Sequence, residues 1–347
     1  MSDADKQRSF SLLGSGLKMA DVAKAAGVAT STVSRALAYP DRISAKTREK
    51  ILRAAEQLGY TPNVAARNLR KGSTRMILIV LPPRIHSEPI SRTTRGIDDA
   101  LVAAGYSLII GNFDRLEATE RHILDLAYGG SVDGAIVLSS PIPTSGERSL
   151  RQAGIPVVSA LNDLSGMGIP SIVTDEQEAM RAMVARLVDD GHRHFAYVGG
   201  PADSYHEQMR FAGFSAALQE AGSAARVDRF EGDYLFESGR QAALQILRLR
   251  DRPSAMVCAN DDMAIAALRE LKAGGLKVPD DIALTGFDGI SYAKYVDPEL
   301  TTVSQPFDEI GRKAANLLLD CIAHAEEVPM RTVLRNSLSP GASAFRR

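Results

Sequence analysis

The sequence predicts an all-α headpiece of short helices, followed by a two-lobed α/β core with parallel sheets. Across residues 19–58, apolar side chains recur at helical spacing and glycines mark the helix ends. From Met76 onward, short apolar runs alternate with helical stretches, a pattern typical of parallel strands joined by crossover helices. The strands are too numerous for one compact sheet, so we expect two similar lobes.

Residues 19–38 are predicted to form two helices joined by a tight turn. Gly27 ends the first helix because glycine adopts the left-handed conformation at little cost, and Thr30 is the expected amino-terminal cap of the second. The second helix has one apolar face, with small polar residues and Arg35 on the other. Such a helix suits the major groove of DNA, and an ordinary hairpin with a solvated polar face is the alternative.

A third helix is predicted from about Ala45 to Leu58, capped by Ser44 and ended by Gly59. The segment that follows, 60–72, is short enough to be marginal as an isolated helix in water. It carries three cations and one prominent apolar side chain, Leu69. It is therefore either a plain linker helix or a hinge that folds only on DNA, with Leu69 inserted in the minor groove.

Charge is distributed unevenly along the chain. The whole sequence holds 41 Lys and Arg against 42 Asp and Glu, for a net charge of −1. Residues 1–75 hold 14 basic and 6 acidic residues, whereas the remainder holds 27 and 36. A basic head on an acidic body is typical of a phosphate-binding module attached to a regulator, although charge can also segregate between domains by chance.

Composition and cysteine usage bound the class of protein. Hydrophobic residues make up 45% and charged residues 24%, as in ordinary soluble proteins, and Cys258 and Cys321 form no pattern that predicts disulfides or a zinc cluster. There is no apolar run long enough to span a membrane, and residues 1–17 lack the apolar segment of a secretory signal. We expect a reduced, cytoplasmic protein without a cofactor.

The core is predicted to hold a small molecule in a cleft between its lobes, because ligands bind beyond the carboxyl ends of parallel strands. The predicted core helices include Gly146–Ala153 and Phe307–Ile322, and the second is expected to return to the first lobe. Four residues that follow predicted strands combine hydrogen-bonding groups with an aromatic face: Arg210, Tyr234, Asn260 and Asp288.

Catalysis has little support in the sequence. The six histidines show no metal-binding spacing, and Gly199-Gly200-Pro201 lacks the Lys and Ser/Thr of a phosphate loop. Asp261 and Asp262 look like a helix start, where carboxylates satisfy free N–H groups. We predict that the protein is not an enzyme. The alternatives are a solute-binding protein, which would need export, and a sugar- or nucleoside-processing enzyme.

Several specific motifs occur along the chain, from about Leu17 to about Ala344. The headpiece motifs are Asp-Val-Ala-x-x-Ala-Gly-Val at 21–28, Thr-Val-Ser-Arg-Ala-Leu at 32–37, Ile-Ser-x-x-Thr-Arg at 43–48 and Leu-Gly-Tyr-x-Pro-Asn-x-x-Ala-Arg-x-Leu at 58–69. The core motifs are Gly-His-Arg at 191–193, Arg-Phe-Ala-Gly-Phe at 210–214, Asn-Asp at 260–261, Gly-Phe-Asp at 286–288 and Pro-Glu-Leu-Thr-Thr-Val at 298–303. Together these motifs resemble the lac repressor (LacI/GalR) family of bacterial transcription regulators. The segments 34–37, 40–41 and 231–234 are similar to its cytidine-repressor branch.

The resemblance implies a periplasmic-binding-protein-like core and a set of domain bounds. We expect a disordered leader at 1–16, a helix-turn-helix DNA-binding domain at 17–60, a hinge helix and linker at 61–74, and an effector-binding and dimerisation core at 75–347. Within the core, the N-lobe is expected over about 75–161 and 290–323, and the C-lobe over about 162–289 and 324–347.

By resemblance, the protein is a transcriptional regulator, expected to be a repressor, whose affinity for a pseudo-palindromic operator is controlled by a small sugar or nucleoside. The family implies a homodimer and leaves a tetramer open. The residues at matching DNA-contacting positions are Thr30, Ser31, Thr32, Ser34, Arg35, Ser44, Thr47, Asn63, Ala66, Leu69 and Arg70. The residues at matching effector positions, or lining the same cleft, are Arg210, Tyr234, Asn260, Asp288, Ser140, Ser204, His206 and Asn162.

Two departures from the family pattern bear on the ligand. Ser87-Glu88-Pro89-Ile90 stands where the family usually has Asn-Pro-Phe-Phe, so one aromatic side of the pocket is missing. The ligand is then expected to be smaller or more polar, with His86 or Glu88 in contact with it. In addition, Leu161, Asn162 and Asp163 compete for one polar position, for which Asn162 is our choice.

Overall fold

The computed structural model describes residues 17–38, 42–60, 72–82, 87–112, 117–222, 225–324 and 327–345. They divide into two compact units between Thr74 and Arg75, which we call the headpiece and the core. The predicted leader at 1–16 and residues 61–71 of the predicted hinge helix and linker lie outside the described residues. Within the described ranges, no helix is long and apolar enough to cross a membrane.

The headpiece folds as helices around a small apolar core. Its helices are α1 (Met19–Ala25), α2 (Thr30–Ala38) and α3 (Ala45–Leu58). Each contributes a fully buried side chain, namely Val22, Val33 and Ile51. The pattern of apolar residues therefore predicted the helical headpiece correctly.

The ends of the headpiece helices confirm three of four predictions, among them Gly59, which follows α3 with φ +65°. Gly27 follows α1 with φ +56°, a backbone conformation that costs glycine little. Ser44 caps α3, because its Oγ accepts a hydrogen bond from the backbone N–H of Thr47 at 3.3 Å. The prediction that Thr30 caps α2 was wrong. Thr30 is already helical, and the carbonyl of Ala29 accepts the first hydrogen bonds of that helix.

The core alternates strands and helices. In chain order, the strands are β1 (Met76–Leu81), β2 (Ser107–Asn112), β3 (Gly134–Val137), β4 (Thr144–Ser145), β5 (Arg148–Ser149), β6 (Val157–Ala160), β7 (Ser171–Thr174), β8 (His194–Val198), β9 (Arg226–Phe230), β10 (Ala255–Cys258), β11 (Ala283–Thr285), β12 (Thr302–Ser304), β13 (Arg331–Leu334) and β14 (Ser337–Ser339). The helices are α4 (Glu88–Ala103), α5 (Glu117–Tyr128), α6 (Glu176–Asp189), α7 (Tyr205–Glu220), α8 (Phe236–Arg248), α9 (Asp261–Ala273) and α10 (Phe307–Ile322).

Two parallel sheets define two lobes. The N-lobe is built on a six-stranded sheet in the order β13-β7-β6-β3-β1-β2, and the C-lobe on a four-stranded sheet in the order β11-β10-β8-β9. Helices α6 and α7 pack together, as do α8 and α9, whereas α10 packs on α4. This arrangement confirms the predicted two-lobed core and the return of α10 to the first lobe.

Within the described residues, the chain crosses between the lobes three times. The first crossing follows β7 at residues 174–176, the second follows β12 at 304–307, and the third joins β13 to β14 at 334–337. The predicted lobe bounds at 162, 290 and 324 were therefore wrong, since residues 290–304 also pack with the C-lobe. Strand β7 is buried and pairs with β6 on one side and β13 on the other. Both β7 and β13 therefore belong to the N-lobe sheet.

Two further details of the N-lobe concern the predicted helices: one of them is a hairpin instead, and another is held in place by a close contact. The segment predicted as a helix over Gly146–Ala153 instead forms the β4–β5 hairpin and a single 3₁₀ turn. Helices α4 and α10 approach so closely that a Cβ at Gly311 would lie 2.0 Å from the carbonyl oxygen of Thr93. Only glycine fits there, which fixes the position of α10 on the N-lobe.

Candidate functional site

Four predicted residues meet at one edge of the C-lobe sheet. Arg210 lies on α7, which follows β8, while Tyr234, Asn260 and Asp288 follow β9, β10 and β11. Because these strands are parallel neighbours, the segments beyond their carboxyl ends converge. The order of strands, rather than any nearness in sequence, brings the four side chains together. We call them, with Glu176 and His206, the Arg210 cluster.

Arg210 is the centre of this cluster and is only 4% exposed. Its Nε donates a hydrogen bond to Glu176 Oε2 at 2.8 Å, and its Nη2 donates to Asp288 Oδ1 at 3.1 Å. A third N–H donates to a backbone carbonyl, and the ring of Phe287 lies 4.2 Å from the guanidinium carbon. The ring of Tyr234 lies 5.9 Å from the same carbon. The guanidinium is thus held in a fixed orientation.

Glu176 was missed by the sequence reasoning. It is the first residue of α6, is 2% exposed, and accepts a second hydrogen bond at Oε1, 2.7 Å from His206 Nδ1. Burial alone would raise the pKa of Glu176, but the charge of Arg210 and the bond to His206 lower this pKa to about 2. The one signal available in the sequence was an acidic residue at the start of a helix, where carboxylates commonly meet free N–H groups.

Tyr234 and Asn260 form a second, linked part of the site. The side-chain oxygen of Asn260 accepts from the N–H of Met263 at 3.0 Å and caps α9, while its Nδ2 donates to the Tyr234 carbonyl at 2.9 Å. Tyr234 adopts φ +65°, and its hydroxyl lies 3.2 Å from Ser204 Oγ. Burial raises the pKa of Tyr234, so its phenol stays neutral. Both ends of the Asn260 amide are therefore committed to holding this loop.

Asp288 joins the cluster to another buried residue that the sequence did not reveal. Its Oδ1 accepts from Arg210 and also from the side-chain amide of Gln305, at 2.9 Å. Burial raises the pKa of Asp288, although Arg210 opposes this shift. Within the described core, Oδ2 of Asp288 has no hydrogen-bond partner. That oxygen is available to accept a hydrogen bond from a ligand.

Two predicted residues lie apart from the cluster. Asn162 is buried in the N-lobe, where its Nδ2 donates to the carbonyl of Leu138 at 3.1 Å and its own carbonyl accepts from Ser159 Oγ at 2.7 Å. Ser140 is exposed after β3. No hydrogen bond among the described residues connects either of them to Arg210. The amide of Asn162 thus stabilises its own loop.

Glu88, the first residue of α4, bonds to the segment that follows Asp288. Its carboxylate accepts hydrogen bonds from the backbone N–H and the hydroxyl of Ser291, both at 2.8 Å. These residues line a pocket of about 590 Å³, together with Arg92, Arg95 and Asp308. The predicted alternative contact, His86, lies outside the described residues. Among the described residues, no cluster of His, Cys, Asp and Glu could hold a metal ion.

The predicted DNA-contacting side chains of the headpiece lie on α2 and at the start of α3. Thr30, Ser31 and Arg35 are exposed, and Thr32 and Ser34 are half-buried. At the start of α3, the hydroxyls of Ser44 and Thr47 lie 2.8 Å apart. The remaining predicted residues lie outside the described part of the chain: Asn63, Ala66, Leu69 and Arg70.

Comparisons with known proteins agree with this architecture. A model of bacterial regulatory proteins of the lacI family matches residues 18–63, and a model of periplasmic binding protein-like domains matches residues 184–344. The chain is 35% identical, over 303 residues, to the HTH-type transcriptional repressor CytR of Escherichia coli K12, a match that covers 87% of this chain and 89% of CytR.

Solved structures give the same result. The lac repressor dimer bound to operator and the anti-inducer ONPF superposes with a TM-score of 0.83 at 26% identity, covering 96% of this chain and 100% of that one. A complex of the transcriptional regulator CelR with cellobiose gives a TM-score of 0.69 at 31% identity, covering 94% and 100%. The chain thus belongs to the LacI family, as a DNA-binding transcriptional regulator with an effector-binding core.

Proposed function

We propose that this protein is a repressor whose operator affinity is set by an uncharged sugar or nucleoside bound at the Arg210 cluster. The observation that carries the proposal is a buried arginine held by two carboxylates beyond the ends of the C-lobe strands. Arg210 uses three of its five N–H groups internally, so two remain for a ligand. These two N–H groups and Asp288 Oδ2 suit a pair of neighbouring hydroxyls. One hydroxyl would accept from Arg210, and the other would donate to Asp288.

Charge favours a ligand without phosphate groups. The single guanidinium of Arg210 faces the carboxylates of Glu176 and Asp288, so it offers little net attraction to an added anion. The ring of Tyr234 supplies a flat face for a sugar ring or a base. The similarity to CytR supports a nucleoside, and the similarity to CelR bound to cellobiose supports a sugar. Ser204, His206, Asn162 and Ser140 are proposed to line the same cleft.

In the headpiece, Thr30, Ser31 and Arg35 are proposed to face base edges in the major groove. Roles in holding phosphates or orienting the helix are proposed for Thr32, Ser34, Ser44 and Thr47. In the hinge segment, Asn63 and Ala66 would pack into the minor groove, with Leu69 as a wedge and Arg70 beside it. The protein would act as a cytoplasmic homodimer on a pseudo-palindromic operator. The lac repressor dimer bound to its operator supports this assignment.

Regulation requires that the effector bind the two functional states with different affinity. Its influence on operator binding equals that difference, typically a coupling of about 1–3 kcal/mol. The proposed route runs from the Arg210 cluster through the relative orientation of the lobes to the hinge segments of the dimer.

A ligand screen tests the effector class. The full-length protein is heated with cytidine, adenosine, ribose or cellobiose, and also with ribose 5-phosphate as a charged comparison. A ligand present at about 100 times its Kd adds about 2.7 kcal/mol of stability, which a thermal-shift assay detects readily. We expect an uncharged compound to shift the midpoint. Tighter binding of the phosphorylated sugar would contradict the proposed chemistry.

DNA binding is tested separately, on duplexes enriched from a random pool by the full-length protein. Arg35→Ala should cost about 1–3 kcal/mol on the selected site and relax its preference at one base pair. Arg53→Ala is the matched control, because Arg53 is exposed on α3 and pairs with Glu49. Equal losses in both variants would rule out base readout by Arg35. A chain that binds a sugar but selects no DNA would be a solute-binding protein.

A further inference from the structure

Gln305 lies where the lobes are joined and was not among the predicted functional residues. It sits on the second crossing, between β12 and α10, and is 5% exposed. Its side-chain amide makes two hydrogen bonds. Nε2 donates to Asp288 Oδ1 at 2.9 Å, and Oε1 accepts from Thr174 Oγ1 at 2.9 Å. Because a carboxylate only accepts, the Asp288 contact fixes which end of the amide carries the nitrogen.

These contacts connect three different parts of the core. Thr174 is the last residue of β7 and begins the first crossing, while Gln305 belongs to the second. Asp288 belongs to the C-lobe and also holds Arg210. The backbone reinforces the link, because the N–H of Gln305 donates to the Asp288 carbonyl at 3.1 Å. One amide therefore joins two crossings to the carboxylate of the proposed effector site.

The third crossing is tied to the first as well. The N–H of Asn336 donates to Asp175 Oδ1 at 2.7 Å, and the N–H of Asp175 donates to the carbonyl of Leu334 at 3.1 Å. The three crossings therefore form one hydrogen-bonded unit, which the Gln305 side-chain amide connects to the Asp288 carboxylate. A change in the hydrogen bonding of Asp288 reaches this unit through Gln305.

We propose that Gln305 is the positioning residue that couples the Arg210 cluster to the relative orientation of the lobes. A ligand that bonds to Asp288 alters how Oδ1 is shared between Arg210 and Gln305, which in turn alters the bond to Thr174 across the crossings. This inference rests on the proposed effector site. Both polar ends of the Gln305 side chain are already bonded within the core, to Asp288 and Thr174, so its loss should uncouple the response and leave ligand binding largely intact.

The test compares full-length wild type with Gln305→Leu, using Gln241→Leu at an exposed position of α8 as the matched control. Cytidine and cellobiose are the probes, and their Kd values are measured by calorimetry. Operator affinity is measured with and without each probe. In wild type and Gln241→Leu, a bound probe should change operator affinity by about 5–150-fold. In Gln305→Leu, we expect less than a twofold change, with the probe's Kd within about threefold of wild type.

Two outcomes would overturn the inference: an operator response that survives in Gln305→Leu, or losses of probe affinity and response in equal proportion. The second would mean that Gln305 merely supports the pocket. If neither probe binds the wild-type protein, the proposed effector class is contradicted. Hydrogen exchange then tests the role of Gln305 independently of any ligand. Exchange at the backbone N–H groups of Asp175, Gln305 and Asn336 should then rise at least tenfold in Gln305→Leu but not in Gln241→Leu. Unchanged protection would refute it, and Gln305→Glu provides the same test if the leucine variant does not fold.

Discussion

Replacing Glu176 with glutamine tests whether the Arg210 cluster depends on a buried carboxylate. Glutamine keeps the size of the side chain but removes the charge. Its oxygen can accept from Arg210 or His206, and its NH₂ group then faces the other donor. Both bonds of the native carboxylate are short, at 2.8 Å and 2.7 Å. The substitution therefore replaces two bonds to an ionised group with weaker neutral ones, and the NH₂ group can bond to His206 only if that ring accepts at Nδ1.

Two independent estimates give the size of the effect. The pKa of Glu176 falls from 4.5 to about 2 on folding, and each unit corresponds to about 1.36 kcal/mol, so the ionised form contributes about 3 kcal/mol. Removing one member of a buried ion pair costs about 3–5 kcal/mol in other proteins. We therefore expect Glu176→Gln to lower the free energy of unfolding by about 3 kcal/mol at pH 7.

Urea unfolding followed by far-ultraviolet circular dichroism measures this loss, since the chain has no tryptophan. Glu178→Gln is the matched control on the same helix. Its side chain is 61% exposed and pairs with Arg181, so its loss should cost less than about 1 kcal/mol. Because the pKa of Glu176 is lowered in the fold, its contribution is complete above about pH 4.5 and disappears as the pH falls toward 2. The difference in unfolding free energy between Glu176→Gln and wild type should therefore decrease as the pH falls from about 4.5 toward 2. Equal stabilities of the two variants at pH 7 would refute the reasoning.

Three further outcomes are expected. Gly311→Ala should lower the free energy of unfolding by about 1–3 kcal/mol, because the new Cβ would lie 2.0 Å from the Thr93 carbonyl oxygen. Urea unfolding measures this loss, and Gly166→Ala, whose new Cβ would meet open space, should leave the free energy of unfolding nearly unchanged. Ser44→Ala should cost the headpiece about 1 kcal/mol of stability and leave the melting of the core unchanged in calorimetry. Operator affinity should fall with salt, with a slope of about −0.9 per phosphate contact in a plot of log K against log salt, and a flat response would argue against DNA binding.

Local patterns were sufficient to predict most of the helices and the identity of four cluster residues. The predicted helix Phe307–Ile322 has the same bounds in the structure. Apolar periodicity and strand-to-helix alternation are properties of short stretches, so they survive without knowledge of the tertiary fold. The rule that ligands bind beyond parallel strand ends then selected Arg210, Tyr234, Asn260 and Asp288, which the sheet order places side by side.

Long-range contacts explain what the sequence could not show. The residues 146–153 resemble a helix in composition, but Gly146 adopts φ +58° and turns the chain into a hairpin. Arg148, in β5, bonds to Asp125 at 2.9 Å and lies over the ring of Tyr128, both from α5. The hairpin therefore has partners that an isolated segment lacks. These partners lie twenty or more residues away in the sequence, so the local helix propensity of the segment does not reveal them.

The same reason hid Glu176 and Gln305. The bond between Thr174 and Gln305 joins residues 131 positions apart, and nothing in either neighbourhood predicts it. Glu176 carries only the weak signal of an acid at a helix start, which normally means a favourable interaction with free N–H groups. Its partnership with Arg210 becomes visible only when α6 and α7 pack together.

The position of Asp288 has a consequence for how any effector must act. One of its oxygens already serves both Arg210, which anchors the cluster, and Gln305, which joins the crossings. A ligand that bonds to the other oxygen draws on the same carboxylate, so it cannot bind there without altering at least one of those two interactions. Binding and signalling therefore share a single group. Substitutions that strengthen the resting interactions of Asp288 should then weaken the response, even when the shape of the pocket is unchanged.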